Sequence, residues 1–223
     1  MSKKINQENA ELNQSVGEAV TKAGDFFQEN KKTIIYASSA VVLIVCAVLA
    51  IQNFWLEPLK KEAVAQTFVA EQNYRKDNFE VALNGDGNSL GFAQIIDEYG
   101  AKAGKAVYFY AGICELQLGE FQSAIDYLSK YNGKDELIMA RATCCIGDAY
   151  VGLENFEKGL SNYVKAAKTS DNPLAAAYYL KAGIISEEMG NKEEALKHYN
   201  TIKEKYPQTL EGMEIEKYIS RVK

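Results

Sequence analysis

The most conspicuous pattern in the chain is an unbroken apolar run. From Thr33 to Leu56 the sequence reads TIIYASSAVVLIVCAVLAIQNFWL, 24 residues without a charge. At about 1.5 Å per residue this predicts a helix about 36 Å long, enough to cross a hydrocarbon core of about 30 Å. Lys31 and Lys32 close one end, and Trp55 marks the other, followed by Lys60 and Lys61. An indole favours the membrane interface and lysines favour the water beyond it. The run therefore predicts a membrane span over 33–56. Ahead of it, Ile5, Leu12, Val16, Ala19, Ala23 and Phe26 recur at helical spacing and predict an amphipathic stripe in a leader over 1–32. The leader is polar, with five lysines balanced by five acids, and suits a cleaved signal poorly, although Val48-Leu49-Ala50 has small-residue character. Cys46 follows Val45 rather than the small residue a lipidation site needs. An uncleaved anchor is the expectation.

After the anchor the pattern changes to helix-length segments with small residues at fixed places. Three segments align: YFYAGICELQLGEFQSAIDYL from Tyr108, TCCIGDAYVGLENFEKGLSNYVKAA from Thr143, and YLKAGIISEEMGNKEEALKHYNTIKEKYP from Tyr179. Gly112, Gly147 and Gly183 occupy one register position, and Ala124, Gly159 and Ala195 another, with spacings of 35 and 36 residues in both sets. A period near 34 with helical composition resembles the tetratricopeptide repeat. In such a unit two antiparallel helices approach closely, so small residues are needed where the backbones meet. Phe121, Phe156, Tyr163 and Tyr199 are the expected bulky side chains between helices, and Gly119 and Gly190 the expected left-handed ends of first helices. Glu154 stands where those glycines would be, and Gly159 replaces alanine. A glycine inside a helix costs up to about 1 kcal/mol, which points to the second repeat as the weakest. Residues 60–77 and Asn78-Phe79-Glu80-Val81-Ala82-Leu83 look like a degenerate unit interrupted by Asn84-Gly85-Asp86-Gly87-Asn88. Leu210 to Val222 reads as a capping helix, since an end repeat cannot leave its apolar face bare.

The expected fold class is therefore all-α: a single N-terminal transmembrane helix followed by an α-solenoid of tetratricopeptide-type helical hairpins. The expected segments are a leader over 1–32, the span over 33–56, the interrupted unit over 57–104, three repeats over 105–209 and a cap over 210–223.

Composition adds exclusions. The formal charge is −5, and the acidity lies after residue 56, so the clustered cations that nucleic acid requires are missing. The four cysteines are Cys46, inside the run, and Cys114, Cys144 and Cys145 beyond it. An odd number outside the span argues against a complete disulfide framework. No CxxC pair exists and the one histidine is His198, so no zinc site is spelled out. His198 reads as a solvated side chain on a second helix. Acid pairs such as Glu187-Glu188 are adjacent and point in different directions. The expectation is a chain that is not an enzyme, with no catalytic residues, metal, cofactor, small-molecule substrate or nucleic-acid partner. Protein partners remain.

The tetratricopeptide resemblance implies that first helices line a groove. The positions carried over are Thr67, Glu71 and Tyr74 from the interrupted unit, then Phe109, Ile113 and Leu116, then Arg141, Cys144 and Asp148, then Leu180, Ile184 and Glu187. This set is largely apolar and lacks the lysine–asparagine pattern that clamps a C-terminal carboxylate. It suits a hydrophobic segment of a partner, unless neighbouring helices cover it. A closer resemblance rests on the anchor, on Asp97-Glu98-Tyr99-Gly100 and on Tyr108-Phe109-Tyr110-Ala111-Gly112-Ile113-Cys114. These look like the YfgM-type proteins of bacterial inner membranes. That resemblance implies an ancillary subunit of the SecYEG translocon, with a cytoplasmic N-terminus and a periplasmic repeat domain, paired with a PpiD-like membrane-anchored chaperone and assisting exported proteins. The charges flanking the span, Lys22, Lys31 and Lys32 against Lys60, Lys61, Arg75 and Lys76, do not choose an orientation. A cytoplasm-facing adaptor and a structural subunit of another membrane complex stay open as alternatives.

Overall fold

The structure, a computed structural model, describes Gly17, residues 28–169 and residues 172–223. The amphipathic stripe expected from Ile5 to Phe26 lies outside the described residues. The chain divides into two compact units, Met1–Pro58 and Leu59–Lys223.

In the first unit, α1 (Lys31–Ile51) is followed by a π-helical turn, Gln52–Leu56. No side chain of α1 is buried, and the helix is long and apolar enough to cross a membrane. Its polar groups are satisfied internally: the Ser38 hydroxyl donates to the Ile35 carbonyl at 3.0 Å and the Ser39 hydroxyl to the Tyr36 carbonyl at 2.9 Å. A helix surrounded by lipid needs this, because no water is there to accept the bond.

Among the described residues of the second unit every regular element is a helix. Its elements are α2 (Glu57–Arg75), α3 (Phe79–Asn84), α4 (Phe92–Tyr99), a 3-10 turn (Gly100–Ala103), α5 (Ala106–Leu118), α6 (Phe121–Lys130), α7 (Glu136–Gly152), α8 (Phe156–Thr169), α9 (Leu174–Glu188), α10 (Lys192–Lys205) and α11 (Leu210–Val222). From α5 onward each helix packs on the next, and first helices also touch across repeats, α5 on α7 and α9 on α11. Side-chain caps start several of these helices. Asp135 accepts from the Leu137 and Ile138 amides, Asn191 from Glu194, and Thr209 from Gly212.

One turn recurs four times. After α2, α5, α7 and α9 a residue adopts a left-handed conformation: Asp77 (φ 57°), Gly119 (φ 83°), Glu154 (φ 57°) and Gly190 (φ 76°). In each case that residue and the next donate backwards to the helix just ended. For the second repeat the Glu154 amide reaches the Val151 carbonyl at 2.9 Å and the Asn155 amide reaches Tyr150 at 2.8 Å. This is the Schellman arrangement, which satisfies the last carbonyls of a helix and reverses the chain. A side chain is strained at such a position, and glycine is not. Glu154→Gly is therefore expected to raise stability by about 0.5–1 kcal/mol, read as a higher melting temperature. An unchanged or lower melting temperature would mean that the turn is not held as described.

Where the helices of a repeat cross, the small residues sit against partners with no space left. A Cβ at Gly147 would meet the Tyr163 ring at 2.8 Å, and one at Gly159 would meet Val151 Cγ2 at 2.6 Å. Gly159 in mid-helix is thus a packing requirement of the second repeat.

The interrupted unit keeps the same register, with Ala70 and Ala82 at the two small-residue positions, both fully buried. Its second helix breaks at Gly85, and the loop over 85–91 is held by Asp86, whose carboxylate accepts from the Asn88 and Ser89 amides and the Ser89 hydroxyl at 2.8–3.0 Å. Those bonds hold the Asp86 carboxyl below its ordinary range. Phe92 and Tyr110 then stack at 5.4 Å, with Tyr74 edge-on to Tyr110 at 5.1 Å, and this aromatic group seals α2 onto α4 and α5. At the other end, Ile215, Ile219 and Val222 of α11 cover Tyr199 and Ile202.

Candidate functional site

The face made by the first helices is mostly closed by its own packing. Thr67, Phe109, Ile113 and Cys144 are buried. Thr67 donates to the Ala63 carbonyl at 2.8 Å. Phe109 and Ile113 pack with Leu128, Tyr131 and Ala142, and Cys144 packs with Tyr163, Ala182 and Ile185. Phe109, Ile113 and Cys144 thus fill seams between adjacent helices rather than lining a groove. Tyr74 lies half-buried in the aromatic group, and Leu116 is half-buried against Phe121 and Ala149. Glu71, half-buried, pairs with Arg75 at 3.6 Å. Leu180 and Ile184 are half-buried on α9, and Arg141 is exposed on α7.

The two remaining candidates, Asp148 and Glu187, are latched to the expected inter-helix tyrosines and to two cations, Lys181 and Arg221, that local spacing gave no role. Asp148 accepts both Nζ contacts of Lys181, at 2.6 and 2.7 Å, and the Tyr163 hydroxyl at 2.7 Å. Glu187 accepts the Tyr199 hydroxyl at 2.6 Å and a two-point contact from the Arg221 guanidinium, with Arg221 Nε at 2.9 Å. The two groups share one logic. A carboxylate on a first helix takes the tyrosine of its own second helix and a cation from the next first helix. Three helices are tied at one point. Burial and the hydrogen bond to Asp148 push the Tyr163 hydroxyl above its ordinary range, and the same causes act on Tyr199 through Glu187. The Arg221 hydrogen bonds hold the Glu187 carboxyl below the usual carboxylate range. The sequence carried a signal for this: Lys181 and Arg221 follow their acids by 33 and 34 residues, nearly one repeat.

The three thiols of the second unit are poorly suited to act as nucleophiles at neutral pH. Burial pushes Cys114 and Cys144 up to about 12 and Cys145 to about 11, so all three stay protonated. Among the described residues no group of three His, Cys, Asp or Glu side chains could hold a metal ion.

His198 corrects the expectation of a solvated side chain. It is 7% exposed, its ring stacks on Tyr179 at 6.0 Å, and its Nε2 has no hydrogen-bond partner. Glu194 Oε1 lies 4.0 Å away, while Lys197 and Lys168 add opposing charge. Burial pulls its pKa below the ordinary histidine value, so the folded state binds this proton less well than the unfolded chain. Stability attributable to His198 is complete above the unfolded value of about 6.5 and is lost as pH falls through the lower, folded value. Unfolding titrations should show His198→Leu losing less stability than the parent as pH drops below about 6.5. Parallel curves would remove His198 as a contributor.

Comparison with known proteins agrees with this architecture. A model described as a tetratricopeptide repeat matches residues 177–209, which span most of α9 and all of α10. The fold is a tetratricopeptide-type stack. A crystal structure of MamA is similar with a TM-score of 0.52 and 17% identity, covering 69% of this chain and 92% of that one. A second MamA crystal structure gives a TM-score of 0.54 at 17% identity, covering 72% and 89%. At these identities the likeness is one of fold. No curated protein matches. A tetratricopeptide-type stack supports protein–protein interaction as the role of the second unit.

Proposed function

We propose that this chain is a membrane-anchored, protein-binding scaffold. It is arranged as a leader (1–32), a span (33–56), an interrupted unit (57–104), three repeats (105–209) and a cap (210–223). The observation that carries this reading is the combination of a helix without a single buried side chain and a repeat stack in one chain. The partner surface is the open part of the first-helix face, above all Arg141 and Ile184, which remain after the seams and latches are subtracted, with Leu180 packed at its edge. In its finer form the reading is an ancillary SecYEG subunit that works with a PpiD-like chaperone on the periplasmic side of a bacterial inner membrane, its N-terminus in the cytoplasm. That form is supported by the resemblance of the Asp97–Gly100 and Tyr108–Cys114 motifs.

Sidedness tests it. The native thiols are poor reporters, since Cys114 and Cys144 are buried. Leu210 is 80% exposed, so Leu210→Cys supplies an accessible one. A maleimide that crosses the outer but not the inner membrane should label this variant in intact cells. Labelling only after the inner membrane is opened would overturn the periplasmic assignment in favour of a cytoplasm-facing adaptor.

A further inference from the structure

The edge of the stack where first helices turn into second helices carries a feature unrelated to the first-helix face. Leu118, Leu153 and Met189 occupy one register position, immediately before the left-handed residue of each turn, and are 37%, 44% and 40% exposed. Beside Glu154 the surface opens into a cavity of about 570 Å³ lined by Leu153, Glu154, Asn155, Phe156, Glu157 and Met189. The preceding repeat differs at this edge. There the equivalent aromatic, Phe121, lies so close to Gly152 that a Cβ would strike its ring. One repeat later the register partner of Gly152 is Glu188, a large charged residue, and Phe156 stays 37% exposed.

The lining combines three apolar side chains with two carboxylates and no cation. Lys158, next in sequence to Glu157, is turned elsewhere, its ammonium 5.0 Å over the Tyr150 ring. Glu154 also holds its carboxylate there at the left-handed position that neighbouring repeats give to glycine. We propose that this cavity is a second docking site, taking a short protein segment in which an apolar side chain is flanked by lysine or arginine. Leu153, Phe156 and Met189 receive the apolar side chain, and Glu154 and Glu157 face the flanking cations. Because the carboxylates are at an exposed rim, they select the partner's charge and make binding salt-dependent more than they add affinity. The site is independent of the translocon reading and operates on either side of a membrane.

The test uses the full chain in nanodiscs of zwitterionic lipid with ¹³C-methyl methionine. The four methionines place one probe in the cavity, Met189, with Met139 and Met213 as references elsewhere in the stack. The ligands are a capped pentapeptide, Lys-Leu-Lys-Phe-Lys, and its counterpart with glutamates for lysines. The basic peptide should shift the Met189 methyl saturably and leave Met139 and Met213 in place. The acidic peptide should not shift Met189, and added salt should weaken the effect. The double variant Glu154→Gly, Glu157→Gln should bind the basic peptide about fivefold or more weakly. It should melt no lower than the parent, since the glycine relieves the turn, so weaker binding would not reflect unfolding. An unmoved Met189, an equal response to the acidic peptide, or unchanged affinity in the double variant would each overturn the proposal. A Met189 shift that depends on protein concentration without peptide would overturn it in favour of a second copy of the chain.

Discussion

Gly183→Leu should destabilise the second unit by about 3 kcal/mol, the largest effect of any single substitution considered for this protein. Gly183 lies where α9 crosses α10, and a Cβ there would run into the Tyr199 ring. Tyr199 has nowhere to go. It is fully buried beneath Ile215 and Ile219, and its hydroxyl is committed to Glu187. Leucine is a better helix former than glycine by under 1 kcal/mol, which only partly offsets the overlap. Moving the ring would also loosen the Glu187–Arg221 latch and the seat of α11. For a unit of this size about 3 kcal/mol corresponds to a fall in melting temperature of roughly 6–12 °C. A variant that melts with the parent would show that Gly183 does not face α10.

Asp148→Ala should follow at about 2 kcal/mol, by a different route. The loss of the exposed side of the Lys181 pair is minor, because a half-exposed ammonium returns to water. The dominant loss is inside. Tyr163 is 3% exposed, and its hydroxyl would remain with its acceptor removed. A buried donor left unmet costs about 1–3 kcal/mol. The double variant Asp148→Ala, Tyr163→Phe should therefore recover part of the stability lost in Asp148→Ala alone, as a mutant cycle by chemical denaturation would reveal. Additive losses would mean that the hydroxyl is not dependent on Asp148.

Much of the fold was legible because three copies of one pattern stand in the same chain. Gly112, Gly147 and Gly183 announced the close crossings, and Gly119 and Gly190 the turns, since each demands a residue type that little else explains. The apolar run announced its own environment by length alone. The candidate face was less legible for a physical reason. Positions such as Phe109 and Ile113 point along the first-helix side, but whether they meet partner or neighbour depends on how tightly successive first helices approach. That distance is set by side chains in the next repeat, not by local spacing. The latches were hidden similarly: Asp148 and Glu187 are ordinary surface acids until Lys181 and Arg221 arrive from one repeat away. His198 read as solvated from its Lys-His-Tyr setting, yet Tyr179, on the preceding helix, covers its ring. Glu154 stood out in the sequence only as a missing glycine, and its left-handed backbone supplies the reason that position matters.

The central claim is that an anchored repeat stack binds protein through the open part of its first-helix face. Site-specific photocrosslinking in living cells tests it most directly, with the reactive side chain placed at Ile184 on α9 and, as a reference, at Thr201 on the second helix α10. The account predicts a discrete protein adduct from position 184 and none from 201, with a translocon component as the captured partner in the finer reading. Adducts of equal yield from both positions, or none from position 184, would contradict it.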